Sequence, residues 1–284
     1  MSETQQHWDW EIRKETTWLG ASFKELYAYK DLMFRLVRKD FLTSYQQTLL
    51  GPLWVLLQPI LTVIIYVLVF YKVLGVTTHG VPPFLYYLIG ITLWNLFSDV
   101  FINTASTFSH NEHIFSKVYF PRIIVPISVM VVHSTRFLIQ MVLLVIVLFY
   151  YYFRGMVDLH ISGALWAIPA IFLTALIGLG AGLIFSILTA KYRDLLSMIN
   201  LMIRLLMFVC PIFYSMRDVT SETAKILVSL NPLSAPFEMF RFAFIGQGEI
   251  SLLYIGYSFA VMLILLTSGM LFFNKMGDKL IDVI

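Results

Sequence analysis

Residues 161–190 form a stretch of 30 residues without a charged side chain. About 20 consecutive apolar residues are enough for a helix to cross the hydrocarbon core of a bilayer. Only 13% of the chain is charged, compared with about 25% in an average soluble domain. We therefore predict an all-α integral membrane protein with six transmembrane helices, at residues 54–72, 84–108, 123–153, 161–190, 195–216 and 250–274.

The first 50 residues form a polar segment ahead of the predicted membrane domain at residues 51–284. Within it, residues 22–41 place apolar side chains every three to four positions, with basic residues mostly on the other side. This pattern predicts an amphipathic helix in the membrane interface, where basic side chains meet anionic headgroups. A helix packed on a partner protein is the alternative. No cleavable signal peptide is visible, so the first span is expected to act as an uncleaved anchor.

A polar segment, Ser109–Arg122, separates the second and third apolar runs. Its residues Ile114, Phe115 and Val118 recur at helical spacing, and Pro121 is expected to end the turn. A short helix with one apolar face, outside the bilayer and joined to two spans, suits contact with a separate subunit. We predict that a partner protein binds this segment.

Residues 217–249 contain two short apolar segments separated by Asn231 and Pro232. Broken helices of this kind predict a re-entrant hairpin, covered by protein or water. Six spans place both termini on one side of the membrane. With the termini in the cytosol, 13 Lys and Arg residues are cytosolic and five lie outside, as the positive-inside rule favours. Ser109–Arg122 is then cytosolic and the hairpin faces out.

Three charged residues, Asp99, Arg136 and Arg204, lie inside the predicted spans. Each costs at least about 2.5 kcal/mol unless it is paired or hydrated. His133 shares a helix face with Arg136. One interpretation is a polar conduit in which the arginines attract an anionic group such as a lipid diphosphate. The other is an ion pair between Asp99 and an arginine that holds the helices together.

Several kinds of chemistry lack the residues that they need. The chain has no Gly-Lys dipeptide, so it cannot bind ATP through a P-loop. His110, Glu112 and His113 are close in sequence, but no further cytosolic Cys or His completes a metal site. No Ser, His and Asp set and no paired carboxylates indicate an enzyme. The one cysteine, Cys210, lies in an apolar run and is expected in the core.

Several short motifs, taken together and in order, resemble those of a known family. They are Gly51-Pro52-Leu53-Trp54, Gln58-Pro59, Lys117-Val118-Tyr119-Phe120-Pro121-Arg122, Tyr192-Arg193-Asp194, Pro211-Ile212-Phe213-Tyr214 and Asn231-Pro232-Leu233, followed by Glu238 and Arg241. With these motifs the chain resembles the permease subunit of type-2 ABC transporters, specifically the exporters of polysaccharide and polyol phosphate (O-antigen, capsule or teichoic acid). The resemblance covers about residues 26–284.

The resemblance implies a cytosolic coupling helix that fits a groove of the ATPase subunit. Its residues are Asn111, Glu112, His113, Ile114, Phe115, Lys117, Val118, Tyr119, Phe120 and Arg122. It also implies an interface helix near residues 22–41, outer re-entrant helices in residues 217–249, and a cytosolic loop motif at Tyr192, Arg193 and Asp194. Because sugar rings stack on aromatic faces, we add two aromatic residues to the charged conduit candidates, which become Asp99, His133, Arg136, Arg204, Trp94 and Tyr214.

The resemblance further implies two permeases and two ATPase subunits in the inner (cytoplasmic) membrane of a bacterium. ATP and Mg²⁺ would bind the ATPase, so we expect this chain to hold no cofactor or metal and to have no enzyme activity. We also expect no nucleic-acid partner. The substrate would be an O-antigen-like glycan linked to undecaprenyl diphosphate, or alternatively teichoic acid, capsule, a drug or a lipid. A secondary transporter would show an inverted repeat, which is not visible. A membrane glycosyltransferase would need more cytosolic carboxylates than Asp194.

Overall fold

The structure is a computed structural model that describes residues 23–115, 120–192 and 194–281. These residues form helices joined by turns and contain no β-strand, which confirms the predicted all-α class. The α-helices are α1 (Phe23–Ala28), α2 (Lys30–Tyr45), α3 (Trp54–Tyr66), α4 (Pro83–Ala105), α5 (Thr107–Phe115), α6 (Ile124–Phe153), α7 (Ala167–Lys191), α8 (Leu195–Val209), α9 (Glu222–Leu230), α10 (Ser234–Ile245) and α11 (Leu252–Ile281). A π-helix, Val67–Val73, continues α3, and short 3₁₀-helices are formed by Gly51–Leu53, Ile161–Trp166 and Met216–Asp218.

Five segments of the described chain are long and apolar enough to cross a membrane. A helix suits such a run because it satisfies every backbone hydrogen-bonding group internally, which a hydrocarbon environment requires. Five of the predicted apolar runs therefore form helices of spanning length. They are Gly51–Val73, Pro83–Ala105, Ile124–Phe153, Ser162–Lys191 and Leu252–Lys275.

The remaining apolar helix, α8, is shorter than predicted. It has 15 residues, which corresponds to a length of about 22 Å. The predicted run extended to residue 216 with a kink at Pro211, but the helix ends at Val209 and Cys210 is extended, with ψ 144°. The predicted boundary is therefore wrong. Proline disfavours the helical conformation in the residue before it, so Pro211 ends α8 and does not kink it.

The centre of the protein is formed by α4 and α7, which are more buried than α3 and α11. Glycines on α7 allow the two helices to approach closely. A Cβ atom on Gly178 would lie 3.1 Å from the carbonyl oxygen of Phe97, and one on Gly182 would lie 2.6 Å from Cβ of Thr104. Close backbone contact through small residues is the usual way in which helices associate in a membrane.

Two short helices, α9 and α10, lie between α8 and α11. The predicted break at Asn231 and Pro232 is confirmed, because α9 ends at Leu230 and α10 begins at Ser234. The Asn231 side chain stabilises this break: its Nδ2 donates to Sγ of Cys210 at 3.1 Å, and its Oδ1 accepts from the backbone N–H of Leu233 at 3.1 Å. Cys210 is fully buried, as expected.

A buried ion pair on α10 fixes the turns on both sides of the short helices. Nη1 of Arg241 lies 2.7 Å from Oε1 of Glu238, and both side chains are at most 3% exposed. Arg241 also donates to the carbonyl oxygen of Pro211. Glu238 accepts hydrogen bonds from the backbone N–H groups of Glu249, at 2.8 Å, and Met216, at 3.4 Å. The pair therefore joins α10 to the chain that follows α8 and to the chain that precedes α11.

Candidate functional site

The segment predicted to contact a partner follows a break between α4 and α5. Ser106, with φ −93° and ψ 7°, separates the two helices. Oγ1 of Thr189, near the end of α7, donates to the carbonyl oxygen of Ala105 at 2.5 Å. The hydroxyl group thus satisfies an acceptor at the C-terminal end of α4, where carbonyl groups lack helical partners. The end of α7 and the start of α5 consequently lie at the same end of the protein.

The structure describes the first part of this segment as the short helix α5. It covers Thr107–Phe115 and has a non-helical residue, Asn111, with φ −118° and ψ 20°. The helical prediction is confirmed for this part. Of the predicted coupling residues, Glu112, His113 and Ile114 have a described backbone only, whereas Lys117, Val118 and Tyr119 lie outside the described residues. Arg122 is partly buried.

Two of the predicted coupling residues, Phe115 and Phe120, pack into the protein itself. Their rings stack with centroids 5.9 Å apart, and Phe115 also contacts Phe108 at 5.4 Å. Phe120 is only 5% exposed and belongs to a small core with Leu36 of α2 and Ile124 of α6. This corrects the expectation that these rings face a partner. They anchor the segment to α2 and α6. Any contact with a partner protein therefore has to be made by the other residues of the segment.

The second predicted cytosolic motif forms the turn between α7 and α8. Tyr192 is exposed and follows the last residue of α7, and its backbone N–H donates to the carbonyl oxygen of Leu188 at 2.9 Å. The ammonium group of Lys191 lies 5.2 Å from the centre of the Tyr192 ring. Asp194 directly precedes α8, and Arg193 lies outside the described residues. The motif therefore joins α7 to α8 beside the α4–α5 break.

The three charged residues of the predicted spans are not paired as expected. Oδ2 of Asp99 lies 3.6 Å from Nδ1 of His133, and within the described chain neither arginine is within salt-bridge distance of Asp99. Arg136 instead lies over the ring of Tyr45, with its guanidinium carbon 5.4 Å from the ring centre. Arg204 is exposed on α8. The interpretation as an Asp99–arginine ion pair is therefore wrong, because the side chain nearest to Asp99 is a histidine on α6.

Tyr45, which lies at the end of α2 outside the spans, is held in its neutral form. Burial raises the pKa of its hydroxyl group, and the charge of Asp99 adds to this rise. The charge of Arg136 and a hydrogen bond with its side chain oppose the rise in pKa. The phenol therefore stays protonated at physiological pH and does not become an anionic partner for Arg136.

A polar pocket of about 280 Å³ lies where α2, α5, α6 and the end of α4 meet. Two predicted conduit residues, His133 and Arg136, line it. Sequence reasoning did not connect the remaining polar residues with a site, although their spacing of three or four residues along α2 indicates a polar stripe. They include Lys39, Thr43 and Ser44 of α2 and His110 of α5.

The two aromatic conduit candidates lie elsewhere. Trp94 is only 4% exposed and packs between Phe97 and Phe237 in the core. It therefore has no surface on which a sugar could stack in this structure. Tyr214 is partly buried in the turn after α8, where its hydroxyl group donates to the carbonyl oxygen of Val209 at 3.0 Å. The predicted conduit residues are thus not brought together into one site.

Comparison with known proteins agrees with this architecture. Residues 31–245 match the protein family described as "ABC-2 type transporter". The chain belongs to this family. As an ABC-2 permease it is a multi-pass membrane protein and the membrane component of a transporter.

Among the relatives of this ABC-2 permease are three proteins described as "O-antigen export system permease protein RfbA". One from Klebsiella pneumoniae is 28% identical over 261 residues, which are 89% of this chain and 95% of the relative. A second from the same organism is 28% identical over 256 residues, with the same coverage. One from Myxococcus xanthus is 27% identical over 218 residues, which are 74% of this chain and 78% of the relative.

Proposed function

We propose that this chain is the permease subunit of an ABC exporter that moves an O-antigen-type polysaccharide out of the cytosol. The observation that carries the proposal is the similarity, over 89% of this chain and 95% of the relative, to a protein described as an O-antigen export permease. The five long apolar helices supply the membrane-embedded part that such a permease needs. The polysaccharide is expected to be linked to undecaprenyl diphosphate.

The energy for transport is proposed to come from a separate ATPase subunit. Two copies of the ATPase, which hold ATP and Mg²⁺, would assemble with this chain and a second copy of it. The α5 segment and the turn at Tyr192–Asp194 support this proposal, because both lie at the same end of the protein and leave polar side chains such as His110 exposed. A partner that contacts this end can move α4, α6, α7 and α8 together.

The proposed topology places this end in the cytosol of a bacterial cell, with the chain in the inner membrane. If α8 crosses together with the turn at residues 210–214, the chain has six spans and both termini are cytosolic. The distribution of Lys and Arg supports this orientation. The short helices α9 and α10 then lie at the outer end, where α10 packs against α4 and α7 and its Arg241 lies over the ring of Tyr86 on α4.

The partner contact can be tested with Val118→Asp. A charge placed in an apolar contact loses its hydration without gaining a partner, which costs several kcal/mol. We expect the wild-type permease to co-purify with the ATPase encoded in the same gene cluster, and the variant to lose at least about 90% of it. Val73→Asp is the matched control, because Val73 is 70% exposed at the opposite end of the protein.

The result has two clear outcomes. Loss of the ATPase from Val118→Asp, but not from Val73→Asp, supports the coupling segment as the site of contact. Equal co-purification of both variants, or no ATPase with the wild-type chain, would contradict it. Insertion of each variant is checked by its recovery in the membrane fraction, and its folding by elution as a single species in size-exclusion chromatography.

A further inference from the structure

The polar pocket between α2, α5 and α6 is built from the elements that also hold the coupling segment. Lys39 and Thr43 come from α2, His110 from α5, and His133 and Arg136 from α6. Its volume of about 280 Å³ far exceeds the space of one water molecule. A group that enters it would therefore contact α2, α5 and α6 at once.

The pocket has buried side-chain nitrogen atoms without a hydrogen-bond partner. In the part of the chain that the structure describes, Nε of Arg136 and Nδ1 of His133 are buried and have no hydrogen-bond partner. His133 is only 6% exposed. Leaving a buried polar atom without a partner is unfavourable, and the cost is larger for a charged group. These nitrogen atoms are satisfied if a ligand with acceptor atoms occupies the pocket.

The carboxylates at the pocket do not neutralise Arg136. Asp40, which also lines the pocket, lies 3.7 Å from Nζ of its neighbour Lys39, and Asp99 lies 3.6 Å from His133. Of the described residues, none places a carboxylate within salt-bridge distance of Arg136, whose guanidinium group faces the neutral ring of Tyr45. The positive charge of Arg136 is therefore available to an anion from outside the protein.

We propose that this pocket binds a phosphate-bearing group. The forked guanidinium group of Arg136 matches the geometry of phosphate oxygens, and Lys39 adds a second positive charge. The histidine side chains and the hydroxyl group of Thr43 supply further donors. This set differs from the one expected from sequence, since Arg204 is replaced by groups from α2 and α5.

The group could belong to a lipid headgroup or to free phosphate, because both present the same oxygens. The inference rests on the proposed function only for the orientation of the chain, which decides from which side of the membrane the pocket is reached. The chemistry of the pocket does not depend on the proposed function. Binding is therefore measured on the full-length permease alone, in nanodiscs without ATPase. Failure to find an ATPase would overturn the proposed function and leave the binding result standing.

The probes are farnesyl diphosphate, farnesol and inorganic diphosphate, and their affinities are measured by microscale thermophoresis. We expect farnesyl diphosphate to bind and farnesol not to bind. Arg136→Gln and Lys39→Gln are each expected to weaken diphosphate binding about tenfold or more, because each removes a charge-assisted hydrogen bond. Lys39 is 58% exposed, so its variant keeps the test valid if Arg136→Gln does not insert.

Arg154→Gln is the matched control. Arg154 follows the other end of α6 and lies over the ring of Tyr150 at 5.3 Å, nearly the same arrangement as Arg136 over Tyr45.

Tighter binding of farnesyl diphosphate than of inorganic diphosphate indicates a lipid headgroup, and equal binding indicates free phosphate. No diphosphate binding, or binding that neither pocket variant weakens relative to Arg154→Gln, would overturn the proposal.

Discussion

Replacement of Arg241 with methionine is expected to destabilise the protein by about 3–5 kcal/mol, because it leaves the carboxylate of Glu238 buried without its partner. Glu238 is only 3% exposed in its side chain, so water cannot take the place of the guanidinium group. The carbonyl oxygen of Pro211 loses its donor as well. The measurement is the temperature at which half of the purified protein loses its monodisperse peak in size-exclusion chromatography.

The control is the double variant Glu238→Gln, Arg241→Met. Removing both charges leaves no uncompensated ion, so the double variant is expected to be more stable than Arg241→Met alone. It remains less stable than the wild type, because Glu238 also accepts hydrogen bonds from the backbone of Met216 and Glu249. A single variant as stable as the wild type, or a double variant less stable than the single one, would contradict this account.

Gly269→Ala is expected to separate α11 from α7. A Cβ atom at Gly269 would lie 2.6 Å from the carbonyl oxygen of Gly180, and one at Gly180 would lie 2.8 Å from backbone atoms of Leu265 and Leu266. The backbones themselves are in contact, so no side chain can move aside. Overpacking of this kind costs about 1–3 kcal/mol, which we expect to lower the half-loss temperature by several degrees.

Gly256→Ala, on the same helix, is the matched control for Gly269→Ala. Apart from its chain neighbours and the backbone of its own helix, no described residue lies within 4 Å of a Cβ atom built at Gly256. Alanine favours a helix over glycine by about 1 kcal/mol, so this variant is expected to be as stable as the wild type or more stable. If both variants behaved alike, close packing of α7 and α11 would not be important for stability.

Sequence reasoning located the long helices well because charge-free length alone determines them. The predicted run at 123–153 became the helix Ile124–Phe153, and the run at 250–274 became Leu252–Lys275 within α11. The end of α8 could not be predicted in this way, because a proline can either kink or end a helix. Only the tertiary structure shows the outcome, in which the carbonyl oxygen of Pro211 is bound by Arg241, 30 residues further along the chain.

The candidate site was harder to predict because the depth of a charge in a span does not determine the direction that it faces. Arg136 and Arg204 were both predicted to lie inside spans, yet Arg136 lines the pocket and Arg204 is exposed on α8. Periodicity likewise identified an apolar face in the coupling segment but not what covers it. Phe115 and Phe120 pack on the protein's own α2 and α6, and only the tertiary structure shows this.

The central claim is tested most directly by inactivating the gene in its native host and measuring O-antigen-type polysaccharide on the cell surface. We predict that surface polysaccharide is lost, that lipid-linked polysaccharide accumulates on the cytosolic side of the inner membrane, and that the wild-type gene restores export. Unchanged surface polysaccharide in the inactivated strain, without accumulation inside, would contradict the assignment of this ABC-2 permease to polysaccharide export.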